Sequence, residues 1–252
     1  METQEIKDLI KEKIANIQKN QITQKDLKTG TDTFENAWTI PASEFRKQEA
    51  RRYRDYSNWK KSDYERNFAN ADYKNKKEKE YSDSFKRFCK NFDIIKTKGL
   101  GIFMVGNAGT GKTYYCDCIM NELMEENKVY RTSLYQILEE MRQEYNKYKE
   151  ATDDFVFTRL EKADLVIFDD LGNEYITDWG KEKMFLIFDF LYRNRISFII
   201  NTNLDDTQFK KFLQINGSVK LLDRIKERCK KYMFDWESRR AELHKKDFEE
   251  LY

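Results

Sequence analysis

Eight residues constrain this chain more than any other stretch: Gly106, Asn107, Ala108, Gly109, Thr110, Gly111, Lys112 and Thr113 spell G-x-x-x-x-G-K-T. The apolar run 101–105 before them suits a buried strand, and Ile119, Met120 and Leu123 after them recur at helical spacing. Strand, glycine-rich turn and helix in that order make a phosphate cradle. The glycines let backbone N–H groups turn inward around phosphate oxygens, and the helix N-terminus adds partial positive charge. Lys112 is then placed to reach the β and γ phosphates, and Thr113 to offer its hydroxyl to Mg²⁺. Tyr114 closes the nucleotide-binding stretch.

The second half of such a site follows downstream. Residues 164–168 form an apolar strand that ends in two carboxylates, Asp169 and Asp170. After a phosphate loop, the first carboxylate suits a Mg²⁺ ligand, and the second suits the group that orients an attacking water. Another buried strand, Ile196 to Ile200, ends at Asn201, Thr202 and Asn203, where a polar side chain would sit beside the γ-phosphate. Lys128 to Thr132 and Tyr232 to Phe234 read as further strands. Leu134, Ile137, Leu138 and Met141 mark a helix, as does the apolar run Met184 to Tyr192, while Asn146 to Asp154 reads as a polar loop. Five strands alternating with helices imply a parallel, three-layer α/β sheet with its ligand at the carboxyl ends of the strands.

Ahead of that core, Tyr81, Phe85, Phe88 and Phe92 share one face of a helix leading into the first strand, which leaves the charged run Lys74 to Glu80 on its exposed side. Arg46, Lys47, Arg51, Arg52, Arg54, Lys60 and Lys61 interleave with Phe45, Tyr53, Tyr56 and Trp59. That mixture fits a grip on nucleic acid, and equally a solvated helix with a core stripe. Ile6, Leu9, Ile10, Ile14 and Ile17 outline an amphipathic N-terminal helix, and Pro41 breaks the chain after it.

Composition excludes several classes. With 252 residues, 37% charged and 15% aromatic, the chain can bury a core and still present wide solvated helix faces. A net charge of +2 means that any nucleic-acid affinity comes from local placement of cations. Its four cysteines form no C-x-x-C, and its single histidine, His244, leaves no zinc-protease motif or Ser-His-Asp triad. No apolar run reaches the length of a membrane span and no signal peptide is evident, so a cytoplasmic protein with no membrane partner is expected.

Taken together, these motifs resemble the AAA+ ATPases of the DnaC/DnaI helicase-loader type, with the IstB transposition helpers as close relatives. The resemblance covers roughly Tyr64 to Arg240. Gly106 to Thr113 are similar to Walker A, Asp169 to Gly172 to Walker B, and Asn203 to sensor 1. The stretch Leu222 to Ile225 is similar to the segment bearing an arginine finger, here Arg224. Phe234 to Arg240 resembles the sensor 2 motif, with Arg240 as its arginine and Arg239 as the alternative.

What the resemblance implies is an ATP- and Mg²⁺-dependent ATPase with a helical N-terminal partner-binding region, 1–66, and an AAA+ domain, 67–252, without a full C-terminal lid. No cysteine precedes Cys89, so the N-terminal region lacks the zinc cluster of many loaders. The implied function is loading of a replicative helicase onto single-stranded DNA, with a homo-oligomer hydrolysing ATP at inter-subunit sites. DNA contacts are expected near Arg131, Thr132 and the following helix. A transposition helper, a DNA adaptor with little turnover, and a small-molecule kinase are the alternatives. The kinase reading leaves the carboxylate pair and the sensor motifs unexplained.

Overall fold

A computed structural model describes residues 42–57, 60–148, 154–215, 217–240 and 248. The isoleucine-rich N-terminal helix expected before Pro41, Trp59 and His244 lie outside the described residues. The elements run α1 (Ala42–Tyr56), α2 (Lys76–Lys90), α3 (Phe92–Lys98), β1 (Gly101–Gly106), α4 (Lys112–Leu123), β2 (Val129–Thr132), α5 (Leu134–Tyr148) and α6 (Asp154–Lys162). They continue through β3 (Leu165–Phe168), α7 (Asp178–Arg193), β4 (Ser197–Thr202), α8 (Asp206–Leu213), α9 (Lys220–Arg228) and β5 (Cys229–Phe234). Two short 3₁₀ turns, Lys61–Glu65 and Phe68–Asn70, join α1 to α2.

The five strands form one all-parallel sheet in the order β2-β3-β4-β1-β5. Alternation along each strand divides the apolar residues between two faces, as the period-2 geometry of a strand requires. On one face Ile102, Met104, Ile167 and Ile199 pack under α2, α3 and α4; on the other Phe103, Val105, Phe168 and Ile200 pack under α5 to α9. This is the three-layer α/β architecture that the sequence implied. Among the described residues, no helix is long and apolar enough to cross a membrane.

Register brings the chemistry to one end of the sheet. Val105 pairs with Thr202, Phe168 with Ile200 and Thr132 with Phe168, so the carboxyl ends of four strands come level. Everything that follows β1, β3 and β4 therefore emerges side by side.

Several expectations shift. The aromatic helix is two helices, because Asn91 closes α2 and opens α3 with non-helical backbone. The polar stretch 146–154 is shorter than expected as a loop, since α5 runs to Tyr148 and α6 begins at Asp154. The compact unit containing the sheet runs Ser43–Tyr252, so the described residues among 43–66, assigned on sequence to the N-terminal region, pack with the core. The reason is visible in α1. Ala50 and Tyr53 are buried, Tyr53 Oη donates to the Arg159 carbonyl, and the Ser57 hydroxyl accepts from Arg131 N at 2.9 Å along edge strand β2. A side chain thus covers backbone that an edge strand would leave open. The core-stripe reading accounts for Tyr53, while Phe45 and Tyr56 remain exposed, with the Arg159 guanidinium over the Tyr56 ring.

Phe85, fully buried, meets Tyr115 at a tilt and Tyr232 edge-on, at centroid distances of 5.4 and 4.7 Å, joining α2 to α4 and β5. Phe85→Ala should lower unfolding stability by about 3–5 kcal/mol through lost burial and the cavity left behind. Urea denaturation followed by circular dichroism measures this.

Candidate active site

The glycines of the loop are demanded by contact and by backbone angle. At Gly106, β1 and β5 run so close that a Cβ would lie 2.1 Å from the Phe234 carbonyl oxygen. Gly111 caps α4 in the left-handed region, φ 101°, which side chains other than glycine's resist. Thr110 is buried and its hydroxyl donates to the Asn107 carbonyl at 2.8 Å, closing the turn.

Lys112 folds inward. It is only 4% exposed, and its Nζ donates to the carbonyls of Gly106 (2.7 Å) and Asn107 (2.8 Å) and to Oδ1 of Asn203 (2.7 Å). Burial pushes its ammonium down to about 8, against the opposing pull of Asp170 and Asp169.

Asp169 stands at the end of β3 between four elements. Its Oδ1 accepts from Thr113 Oγ1 at 3.1 Å and from Asn201 Nδ2, while its Oδ2 is paired with the Arg131 guanidinium. Asp170 follows in the left-handed region at φ 54°, unusual for a residue with a side chain. That backbone is held from both sides: Asp170 N donates to Asn201 Oδ1 at 2.6 Å, and Leu171 N to the Asn201 carbonyl at 2.9 Å. Such strain persists where the surroundings over-determine it. Asn203 Nδ2 donates to Asp170 Oδ1 at 3.4 Å. Burial, then the adjacent Asp169 charge, hold the Asp170 carboxyl above its ordinary range.

Thr113 and Asp169 fit a Mg²⁺ ion by donor chemistry. Both are hard oxygen donors, and among the described residues no group of three or more His, Cys, Asp or Glu could hold a metal alone. Mg²⁺ favours such partial sites, completing its shell with water and substrate phosphates.

Beyond β5 the chain folds back over the loop. Trp236 Nε1 donates to the Thr110 carbonyl and Arg239 N to the Gly109 carbonyl, both at 2.9 Å. The Arg239 guanidinium is then taken by Glu78, at 2.6 and 2.7 Å. Arg240 is the arginine left facing the site: its Cγ lies 3.6 Å from where a Gly109 Cβ would be, and its charge acts on both Lys112 and Asp170. Arg224 does not join this cluster. On α9 it pairs with Asp189 and lies over the rings of Phe185 and Tyr192. Tyr114 braces the loop from below, donating its hydroxyl to the Asn67 carbonyl at 2.9 Å. The Glu174 carboxylate turns back onto Gly172 N at 2.9 Å.

Two expectations change. Arg131 and Thr132 are 8% and 2% exposed, enclosed at the carboxyl end of β2, so of the stretch where DNA contacts were expected it is the following helix, α5, that presents exposed side chains such as Tyr135 and Tyr145. Glu78, from the charged run expected to face solvent, is 1% exposed and holds Arg239, Tyr115 Oη and Lys74 N. Asn201, Arg131 and Glu78 are thus site residues that the motifs did not name. Only Asn201 carried a signal, as the polar residue that follows the apolar run Phe198 to Ile200.

A cleft of about 1300 Å³ lies at the opposite, amino end of the strands, lined among others by Arg46, Lys90, Glu122 and Asp164. Basic and acidic side chains balance there and no motif residue reaches it, so volume alone misplaces the chemistry.

A parallel sheet with β1 between β4 and β5, a phosphate loop after β1, a carboxylate pair after β3 and an asparagine after β4 define the AAA+ P-loop nucleotide-binding class. Comparison with known proteins gives the family. The family described as "IstB-like ATP binding protein" matches residues 5–247, and the chain belongs to it. Over 87 residues, 34% of the chain, it is 29% identical to the replicative helicase loader DnaI of Bacillus subtilis (strain 168), a match spanning 27% of that relative's length. Its fold is similar to the crystal structure of the DnaC helicase loader, with TM-score 0.60 and 21% identity over 69% of this chain and 99% of that one. It is also similar to the crystal structure of DnaI, with TM-score 0.58 and 19% identity over 75% and 99% of the two chains.

The depressed Lys112 ammonium has a measurable consequence. A phosphate replacing its carbonyl partners would raise its proton affinity, so the free form, near 8, is the one that limits binding. ATP affinity should be level below about pH 8 and fall above it, approaching tenfold per pH unit. Lys112→Arg should remove that slope, since a guanidinium stays charged. Equilibrium dialysis of ATP across pH 6.5–9.5 (on the order of one unit either side of the Lys112 value) is the measurement.

Proposed function

We propose that this chain is an ATP-dependent replication protein that hydrolyses ATP between subunits of a homo-oligomer and loads a replicative helicase onto single-stranded DNA. The observation that carries the ATPase part is the meeting of Lys112, Thr113, Asp169, Asp170 and Asn203 at the carboxyl ends of β1, β3 and β4. Similarity to a DnaI loader supports the choice of loading over transposition. In this reading residues 106–114 cradle the phosphates, Lys112 neutralises the β and γ groups, and Thr113 and Asp169 hold Mg²⁺. The cation would draw charge from the transferred phosphoryl group. Asp170 accepts a hydrogen bond from the attacking water, with its carboxylate oriented by Asn203, and Arg240 reaches the phosphates from the segment after β5. The amino-terminal residues before Ser43 bind the helicase, and the protein works in the cytoplasm.

Arg224 is the residue of this reading that must act in a neighbouring subunit. An arginine finger contributes about a thousandfold or more by meeting charge on the transferred phosphoryl group. Asp170→Asn and Arg224→Ala should each abolish turnover while ATP binding survives. Mixed in one assembly, they should regain activity, because some interfaces pair an intact carboxylate with an intact finger. ATP hydrolysis by the mixture, with single-stranded DNA and helicase present and co-assembly shown by cross-linking, tests this. A mixture no more active than the sum of its parts would remove Arg224 from the site.

Loading itself is tested by helicase capture. The full chain should retain the host replicative helicase, and a chain lacking residues 1–42 should lose it. Retention by both would move the contact onto the ATPase unit. Binding to single-stranded DNA should weaken with salt by about 0.7 log units per phosphate contacted, per tenfold salt.

A further inference from the structure

A buried ionic chain leads away from Asp169. Arg131 pairs with Asp169 through one terminal nitrogen and through the other with Asp117 at 2.9 Å and Asp63 at 3.6 Å. Asp117, on α4 and wholly buried, also pairs with Arg66, which lies 3.5 Å from Asp63. Asp63 and Arg66 belong to the strap of residues 60–66 between α1 and α2. Asn121 Nδ2 donates to the carbonyls of both, at 2.8 and 2.7 Å, and the Asp63 carboxylate accepts from Lys60 N at 3.0 Å.

Two properties of this chain go beyond static support. The planar Arg131 guanidinium spreads its charge over two terminal nitrogens that lie beside carboxylates on opposite sides, a reach that the compact point charge of an ammonium lacks. The cluster also carries three carboxylates against two guanidiniums. A cation beside Asp169 would compensate that carboxylate and shift the attraction of Arg131 toward Asp117 and Asp63.

Resting on the reading of Asp169 as the cation's carboxylate, we propose that Arg131 is a positioning residue with a second output. It fixes Asp169 so that one oxygen faces Thr113, and through Asp117 and Asp63 it tightens the 60–66 strap when cation-bound nucleotide is in place. Loss of an outer-shell partner typically lowers metal affinity by about ten- to a hundredfold.

The test uses the full chain and a readout other than turnover. ATP binding is measured by equilibrium dialysis in EDTA and across a Mg²⁺ series, and amide exchange of residues 60–66 is followed with and without Mg·ATP. In the parent, Mg·ATP should slow exchange across the strap. Arg131→Lys keeps a cation beside Asp117 but replaces two terminal nitrogens with a single one. It should need about tenfold more Mg²⁺ for half-maximal enhancement of ATP binding, keep parental ATP affinity in EDTA, and lose the strap response. Asp63→Asn should keep the parental Mg²⁺ curve and lose the strap response alone, so it carries the coupling test even if the Arg131 variant does not fold. A Mg²⁺ curve for Arg131→Lys that overlays the parent's, an equal loss of affinity in EDTA, or a parental strap indifferent to Mg·ATP would overturn the proposal. A parent that binds no ATP under either condition would instead overturn the nucleotide reading, and this inference with it.

Discussion

The Asp169 carboxylate is the point on which this molecule closes. It leaves the end of a central strand, is largely shielded from water, and would be costly there without partners. Three donors from three other elements answer it: Thr113 from α4, Asn201 from β4 and Arg131 from β2. That convergence depends on strand order. With β2 and β4 flanking β3, the residues at or next to those strand ends fall within hydrogen-bond reach of one carboxylate. Asn201 then serves twice, holding Asp169 by its amide nitrogen and the strained Asp170 backbone by its amide oxygen.

The phosphate loop is braced from the other side by elements remote in sequence. β5 passes so close to β1 that Gly106 has no room for a side chain. The chain after β5 lays Trp236 and Arg239 across Thr110 and Gly109. Arg239 completes the clasp through Glu78 near the start of α2, which in turn accepts from Tyr115 on the loop's own helix. One consequence is a division of labour between adjacent arginines: with Arg239 spent on the clasp, Arg240 carries its charge toward Lys112 and Asp170.

Sequence alone determined the parts of this protein that obey local rules. The loop, the strand-end carboxylates and the polar turn after Ile200 were legible because a phosphate cradle needs glycines at set spacings and a parallel strand buried on both faces reads as an apolar run. The all-parallel, three-layer plan followed from the alternation of strands and helices. Tertiary structure decided what no local period encodes. Arg131, Glu78 and Asp117 look like surface charges in sequence, and only the meeting of distant segments converts them into buried, paired groups. The same holds for α1 and the turn after it, which the resemblance assigned to a partner-binding region and which Tyr53 and Ser57 tie to α6 and β2. That Arg239, and not its neighbour Arg240, pairs with Glu78 was likewise invisible in the sequence. A charge's partner is fixed by distance in space, and that distance exists only once the sheet has brought its strand ends level.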